Sequence, residues 1–139
     1  MDTNNDICIC EADDYKSKYH NLLNSIASGF TLMQMIYDEN GKPLDCRYIE
    51  VSPSHERLTG LKTEDIIGKT VKECIHGLEE RWIQFYNEVV KTGTHGITED
   101  YVHGLNKWFK VSARKCTNDC VAVTFEDITD TKVLSLKIL

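Results

Sequence analysis

The run Cys120-Val121-Ala122-Val123-Thr124-Phe125-Glu126, continuing directly into Asp127-Ile128-Thr129 and soon reaching Lys132, decides the fold of this 139-residue chain. Val121, Val123 and Phe125 alternate with Ala122, Thr124 and Glu126, the period of a strand with one buried face. Beyond it, Val133, Leu134, Leu136, Ile138 and Leu139 form a short amphipathic segment with helical character. A strand therefore hands over to a helix at Asp127-Ile128-Thr129. Side chains of Asp and Thr at such a junction can bond backbone groups that have lost a ladder partner, which couples sheet to helix mechanically.

Working outward, residues 107–116 and 97–102 read as two further strands. The turns between them, His103-Gly104-Leu105-Asn106 and Thr117-Asn118-Asp119, are rich in residues that accept turn conformations. In the 107–116 strand Phe109, Val111 and Ala113 share one face and Trp108, Lys110, Ser112 and Arg114 the other. Upstream, residues 78–92 carry the longest helical pattern, with Glu79 and Glu80 in the first turn. Trp82, Phe85, Tyr86, Val89 and Val90 make its apolar face, and Gly93 ends it. A hairpin of residues 30–37 and 44–51 turns at Asn40-Gly41. After it, Ser52 is placed to cap a short helix with Pro53 at its first position and Gly60 at its end, and Thr63 to cap a second with Glu64 and Asp65 in its first turn. Tyr15, Tyr19, Leu22 and Ile26 lie on one stripe of an N-terminal helix over residues 15–28, preceded by a polar lead, residues 1–14, that reads as disordered. The fold class is α+β, with five antiparallel strands and helices segregated to one face.

Composition narrows the function. The formal net charge of −6, spread along the chain, argues against a nucleic-acid or anionic-membrane surface and leaves a small molecule or another protein as partner. No apolar run approaches a membrane span, and six cysteines without a secretory segment suggest reduced thiols in a cytoplasmic protein.

Over residues 19–132 the sequence resembles a PAS domain, the sensory module of bacterial and archaeal signalling proteins. The resemblance is carried in order by Gly29-Phe30, by Asp38-Glu39-Asn40-Gly41-Lys42-Pro43, by Arg47-Tyr48-Ile49-Glu50-Val51 and by Glu56-Arg57-Leu58-Thr59-Gly60-Leu61. It continues through Glu64-Asp65-Ile66-Ile67-Gly68-Lys69, Trp82 with Tyr86, Thr92-Gly93, Trp108-Phe109-Lys110-Val111-Ser112-Ala113 and Asp127-Ile128-Thr129. Ser52 departs from the pattern, since many relatives carry Asn there. The resemblance implies the strand order 2-1-5-4-3, a domain over residues 29–129, and signalling helices at 15–28 and 130–139. It also implies a cavity between sheet and short helices. By position, that cavity should be lined by Ile49, Leu58, Ile67, Val71, Ile75, Phe85, Phe109, Val111, Val123 and Phe125. These same residues read equally well as a packed core.

Cofactors known in PAS domains meet specific residues. The flavin photoreceptors place a reactive Cys three residues after the Gly ending the second short helix; counted from Gly68 that position is Val71, which argues against adduct chemistry. The haem-binding members use a His on the long helix. Residues 79–92 contain none, and only His76 stands near. Cys116 and Cys120 flank a three-residue turn and could face each other, but two ligands do not make a metal site, and Cys8 and Cys10 have no strong zinc spacing. Cys74 and His76 invite a thiol–imidazole nucleophile, without any sign of an oxyanion hole, so an enzyme is the weaker class. The cofactor, if any, stays open.

What remains is a non-catalytic regulatory module, with a thiol-based redox or haem-binding sensor, or a small thiol enzyme using Cys74 and His76, as the alternative readings. The apolar segment at residues 133–139 reads as a helix cut short, implying a following output domain that by resemblance is a histidine kinase or a diguanylate cyclase. Asp127 and Thr129 are the expected relay, with Asp127 bonding near the start of the exit helix and Thr129 capping it. A homodimer is expected through Tyr15, Tyr19, Leu22 and Ile26, through the outward sheet row containing Trp108, or through both.

Overall fold

The computed structural model describes residues 28–138, and side chains up to Ser135 and Leu136. The polar lead and the 15–28 stripe with Tyr15, Tyr19, Leu22 and Ile26 lie outside the described residues, Ser28 excepted. Five strands, β1 (Ser28–Tyr37), β2 (Pro43–Val51), β3 (Gly96–Val102), β4 (Lys107–Lys115) and β5 (Cys120–Asp127), make one antiparallel sheet in the order β2-β1-β5-β4-β3. That is the order the resemblance implied. Four helices follow β2: α1 (Ser54–Thr59), α2 (Thr63–Ile66), α3 (Val71–Cys74) and α4 (Glu80–Thr92). A fifth, α5 (Thr129–Ile138), leaves the end of β5.

The β1–β2 hairpin turns on Asp38, whose carboxylate accepts the N–H groups of Asn40 and Lys42, while Gly41 takes φ +83°. Side-chain acceptance at the turn start and positive φ at Gly are what this loop needs to reverse the chain. β1 and β2 fall out of simple register between Leu32 and Met33, where Leu32 pairs with Glu50 but Met33 with Tyr48. Ile49 is thus the extra residue of a bulge, and it is turned to the surface.

The segment joining the short helices is held to the outer edge of β2 by two backbone bonds and one from a side chain. Gly68 N–H donates to the Tyr48 carbonyl, Tyr48 N–H donates to the Lys69 carbonyl, and Arg47 Nη1 donates to the Gly68 carbonyl. The edge is covered, not left to pair with another chain. Ser52 does not cap α1: its hydroxyl accepts the Phe30 N–H of β1 and meets Ser54 Oγ, because Pro53 already sits in helical geometry. Thr63 lies inside α2 with Lys62 as the flanking residue, so its hydroxyl caps nothing there. α3 carries a full capping box instead, Thr70 with Glu73, and that exposed carboxyl is held below its usual range by the Thr70 N–H. α4 buries Trp82, Ile83, Tyr86, Val89 and Val90 on the sheet, while Phe85 is half-buried at its margin against Gly96.

Candidate functional site

Between the sheet and the helices lies a partly open cavity of about 70 Å³. Thr31 and Met33 come from β1, Tyr48 from β2, His55 and Thr59 from α1, and Val71 from α3. Ile75 and Leu78 come from the α3–α4 connection, Trp82 and Tyr86 from α4, and Val102 and Leu105 from β3 and its turn. Phe109 and Val111 of β4 with Val123 and Phe125 of β5 complete the wall. Of the residues named from sequence, Val71, Ile75, Phe109, Val111, Val123 and Phe125 are brought together here. Leu58 is buried beside Gly29 and outside the lining, and Phe85 lies at the margin.

Ile49 and Ile67 are at the surface. Ile49 is displaced by the bulge. Ile67 follows the last residue of a four-residue helix and turns into extended backbone ahead of Gly68, so its neighbour Ile66 is the one that enters the core.

Two close approaches shape the wall. A Cβ on Gly29 would lie 2.5 Å from the Phe125 ring, and one on Gly104 2.5 Å from Ile75 and 2.6 Å from the His76 carbonyl. Glycine at these positions lets the aromatic ring lie on β1 and lets the β3–β4 turn close against the α3–α4 connection. Phe125 then stands edge-on to Phe109 and to His55, whose ring is also edge-on to Tyr48, with centroids 5.5–5.7 Å apart.

Among the described residues no Asp, Glu, Lys or Arg lines the cavity. His55 is buried, and desolvation lowers its pKa to about 4, so it is neutral at physiological pH. Burial likewise raises the phenols of Tyr48 and Tyr86 well above their ordinary range. Thr59 donates its hydroxyl to the His55 carbonyl. Trp82 Nε1 is buried with no hydrogen-bond partner among the described residues.

His55, Trp82 and Tyr86 were not among the residues read as lining. From sequence the last two belong to the apolar face of the long helix and to the PAS resemblance, and nothing in Ser54-His55-Glu56-Arg57 marks His55 as inward.

The strand-to-helix junction lies two residues beyond Phe125. Asp127 Oδ1 accepts the Thr129 N–H at 2.9 Å, and its other oxygen is 3.8 Å from Lys107 Nζ. Lys107 also donates to the Leu58 carbonyl in the last turn of α1. Thr129 does not cap α5. Its hydroxyl accepts the Trp108 N–H at 2.9 Å, and Ile128 N–H donates to the Trp108 carbonyl, so the start of the helix is sewn onto β4. Trp108 is half-buried: Lys132 Nζ stands 5.5 Å from its ring and pairs with Glu99 at 2.9 Å, while Tyr101 packs edge-on against it.

The thiols are dispersed. Cys74 is half-buried with its pKa raised by desolvation, His76 is exposed, and among the described residues no hydrogen bond joins them. Cys116 and Cys120 are linked through backbone, Cys116 N–H to the Cys120 carbonyl, and not by a disulfide. Among the described residues no three His, Cys, Asp or Glu side chains gather as metal ligands, and no helix is long and apolar enough to cross a membrane.

Sheet order, the short helices over one face and the cavity between them define the class: this is a PAS fold. Particular solved structures share it. A domain of a sensory box sensor histidine kinase/response regulator from Geobacter sulfurreducens matches with TM-score 0.57 at 15% identity, over 85% of this chain and 99% of that one. A domain of an HTR-like protein from Haloarcula marismortui matches with TM-score 0.54 at 18% identity, over 75% and 100%. The PAS domain of nitrogen regulation protein NR(II) from Vibrio parahaemolyticus matches with TM-score 0.54 at 14% identity, over 79% and 97%. No protein-family model matches the sequence, and no curated protein does.

Proposed function

We propose that this chain is a non-catalytic sensory module that admits a small molecule to the cavity and passes its occupancy to an effector through Asp127 and Thr129. The observation that carries the reading is the continuity of cavity and junction. Phe125 packs on His55 in the cavity wall, and two residues along the same strand Asp127 holds the first N–H of α5. Lys107 adds a second route, since it touches both the last turn of α1, whose His55 and Thr59 line the cavity, and the Asp127 carboxylate. A ligand can act on an output only through different affinity for two arrangements, and these contacts make the position of α1 and the start of α5 depend on each other.

The kinase context of the Geobacter structure supports a histidine kinase as effector; a diguanylate cyclase rests on the sequence resemblance alone. Leu134 and Leu136 of α5, 60% and 65% exposed, support assembly as a homodimer along the signalling helices, where light scattering should give twice the chain mass.

The test is a fusion of residues 1–139 to a histidine kinase core, with autophosphorylation measured across a library of small molecules. The expected outcome is a compound that alters output in the parent fusion and has no effect in the Asp127→Ala fusion, which stays folded because losing such a cap costs about 0.5–2 kcal/mol. Unchanged switching in Asp127→Ala, or outright unfolding, would make the junction a stability cap and not a relay.

A further inference from the structure

The cavity's chemistry selects its occupant, and resting on the sensory reading above we infer that the ligand is a small uncharged organic molecule with an oxygen acceptor, a ketone or alcohol, received by Trp82 Nε1. Three observations converge on this class.

The first is charge. Among the described residues the lining carries no ionised side chain, and His55, the one titratable base among them, is kept neutral by the same apolar surroundings. A carboxylate, phosphate or ammonium group placed there would lose its hydration and find no counter-ion, which disfavours charged ligands strongly.

The second is the donor balance. Trp82 is 4% exposed, its indole can only donate, and its N–H is buried without an acceptor among the described residues. Leaving a buried donor unmet is unfavourable, and an acceptor brought by the ligand removes that penalty. The protonated phenols of Tyr48 and Tyr86 add two hydroxyls that can donate to a second lone pair or accept from an alcohol.

The third is size and surface. At about 70 Å³, with Met33, Val71, Ile75, Val102, Val111 and Val123 around it, the space suits a compact hydrocarbon body and excludes extended cofactors unless the wall moves. Ligand cavities for drug-sized molecules start at roughly 300 Å³.

The experiment uses the full chain with three matched probes: cyclopentanone, cyclopentane and cyclopentanecarboxylate at pH 7. Binding is followed by the indole N–H resonances in ¹H–¹⁵N NMR, where Trp82 and Trp108 are the two signals. The expected result is that cyclopentanone moves the Trp82 indole signal downfield and binds about tenfold more tightly than cyclopentane, as one net hydrogen bond allows. The carboxylate should not bind. In Trp82→Phe the preference for the ketone should fall to near unity. The indole shift in the unmodified chain decides the matter if that variant does not fold. Equal binding of hydrocarbon and ketone, or tight binding of the carboxylate, would overturn this inference while leaving a ligand-gated sensor standing. No binding by any of the three would overturn both, because the space would then be packed core.

Discussion

The cavity and the junction occupy consecutive stretches of one strand, yet opposite forces hold them. Around Val123 and Phe125 the contacts are hydrocarbon and ring edges, with polar groups kept neutral by burial. Around Asp127 and Thr129 they are hydrogen bonds and a loose ion pair at a half-exposed surface. Apolar contacts fix shape and stability but have little directional preference, whereas a few oriented hydrogen bonds contribute little net stability and set the direction in which a helix leaves the sheet. A domain that must both stay folded and change the angle of one helix gains from keeping the two in separate places.

That contrast can be broken by mutation. Phe109→Ala empties a buried, cavity-lining ring position and should cost about 3–5 kcal/mol in urea unfolding, the largest effect expected here. A loss below about 1 kcal/mol would mean that the cavity wall does not carry stability.

The next effect is a pH dependence. His55 has a pKa of about 4 when folded, against 6.5 when free, so between those values the unfolded chain binds the extra proton. Stability is therefore highest above pH 6.5 and falls as the pH drops toward 4, by an amount on the order of 3 kcal/mol from this one group. His55→Gln should flatten that part of the stability profile. An unchanged slope would show that His55 is not buried as a neutral base.

The smallest effect belongs to the junction. Thr129→Val removes the acceptor of the Trp108 N–H and should cost only about 1 kcal/mol, while raising hydrogen exchange at Trp108 and in the first turn of α5. A loss as large as that of Phe109→Ala would erase the distinction between the two regions.

Much of this architecture was legible in the linear chain. Period-two alternation in residues 107–115 and 120–126 gave the inward faces correctly, because each strand there runs unbroken against its neighbours. The long helix announced itself by its apolar stripe and by Gly93, which takes φ +73° and returns its N–H to Val89. Boundaries moved by only one or two residues. In β2 the resemblance placed Ile49 in the lining by position, and it failed because a bulge inserts one residue without any mark in the sequence. Among the short helices the periodic signal was too brief to choose between Ile66 and Ile67, or to show that Thr70 and Glu73 start a helix of their own.

The sequence by itself determined which segments are strands, where the long helix stops, and that residues 127–129 join sheet to helix. Those features depend on neighbours within a turn or two, and local backbone preference and side-chain period suffice to set them. Only the tertiary structure decided that His55 faces inward as a neutral ring, that Trp82 Nε1 lies buried without an acceptor among the described residues, and that Lys107 ties α1 to Asp127. Residues as far apart as Leu58 and Lys107 are brought together by sheet order and helix packing, and it is that packing, not local pattern, that sets what surrounds each group and so its charge and its partners.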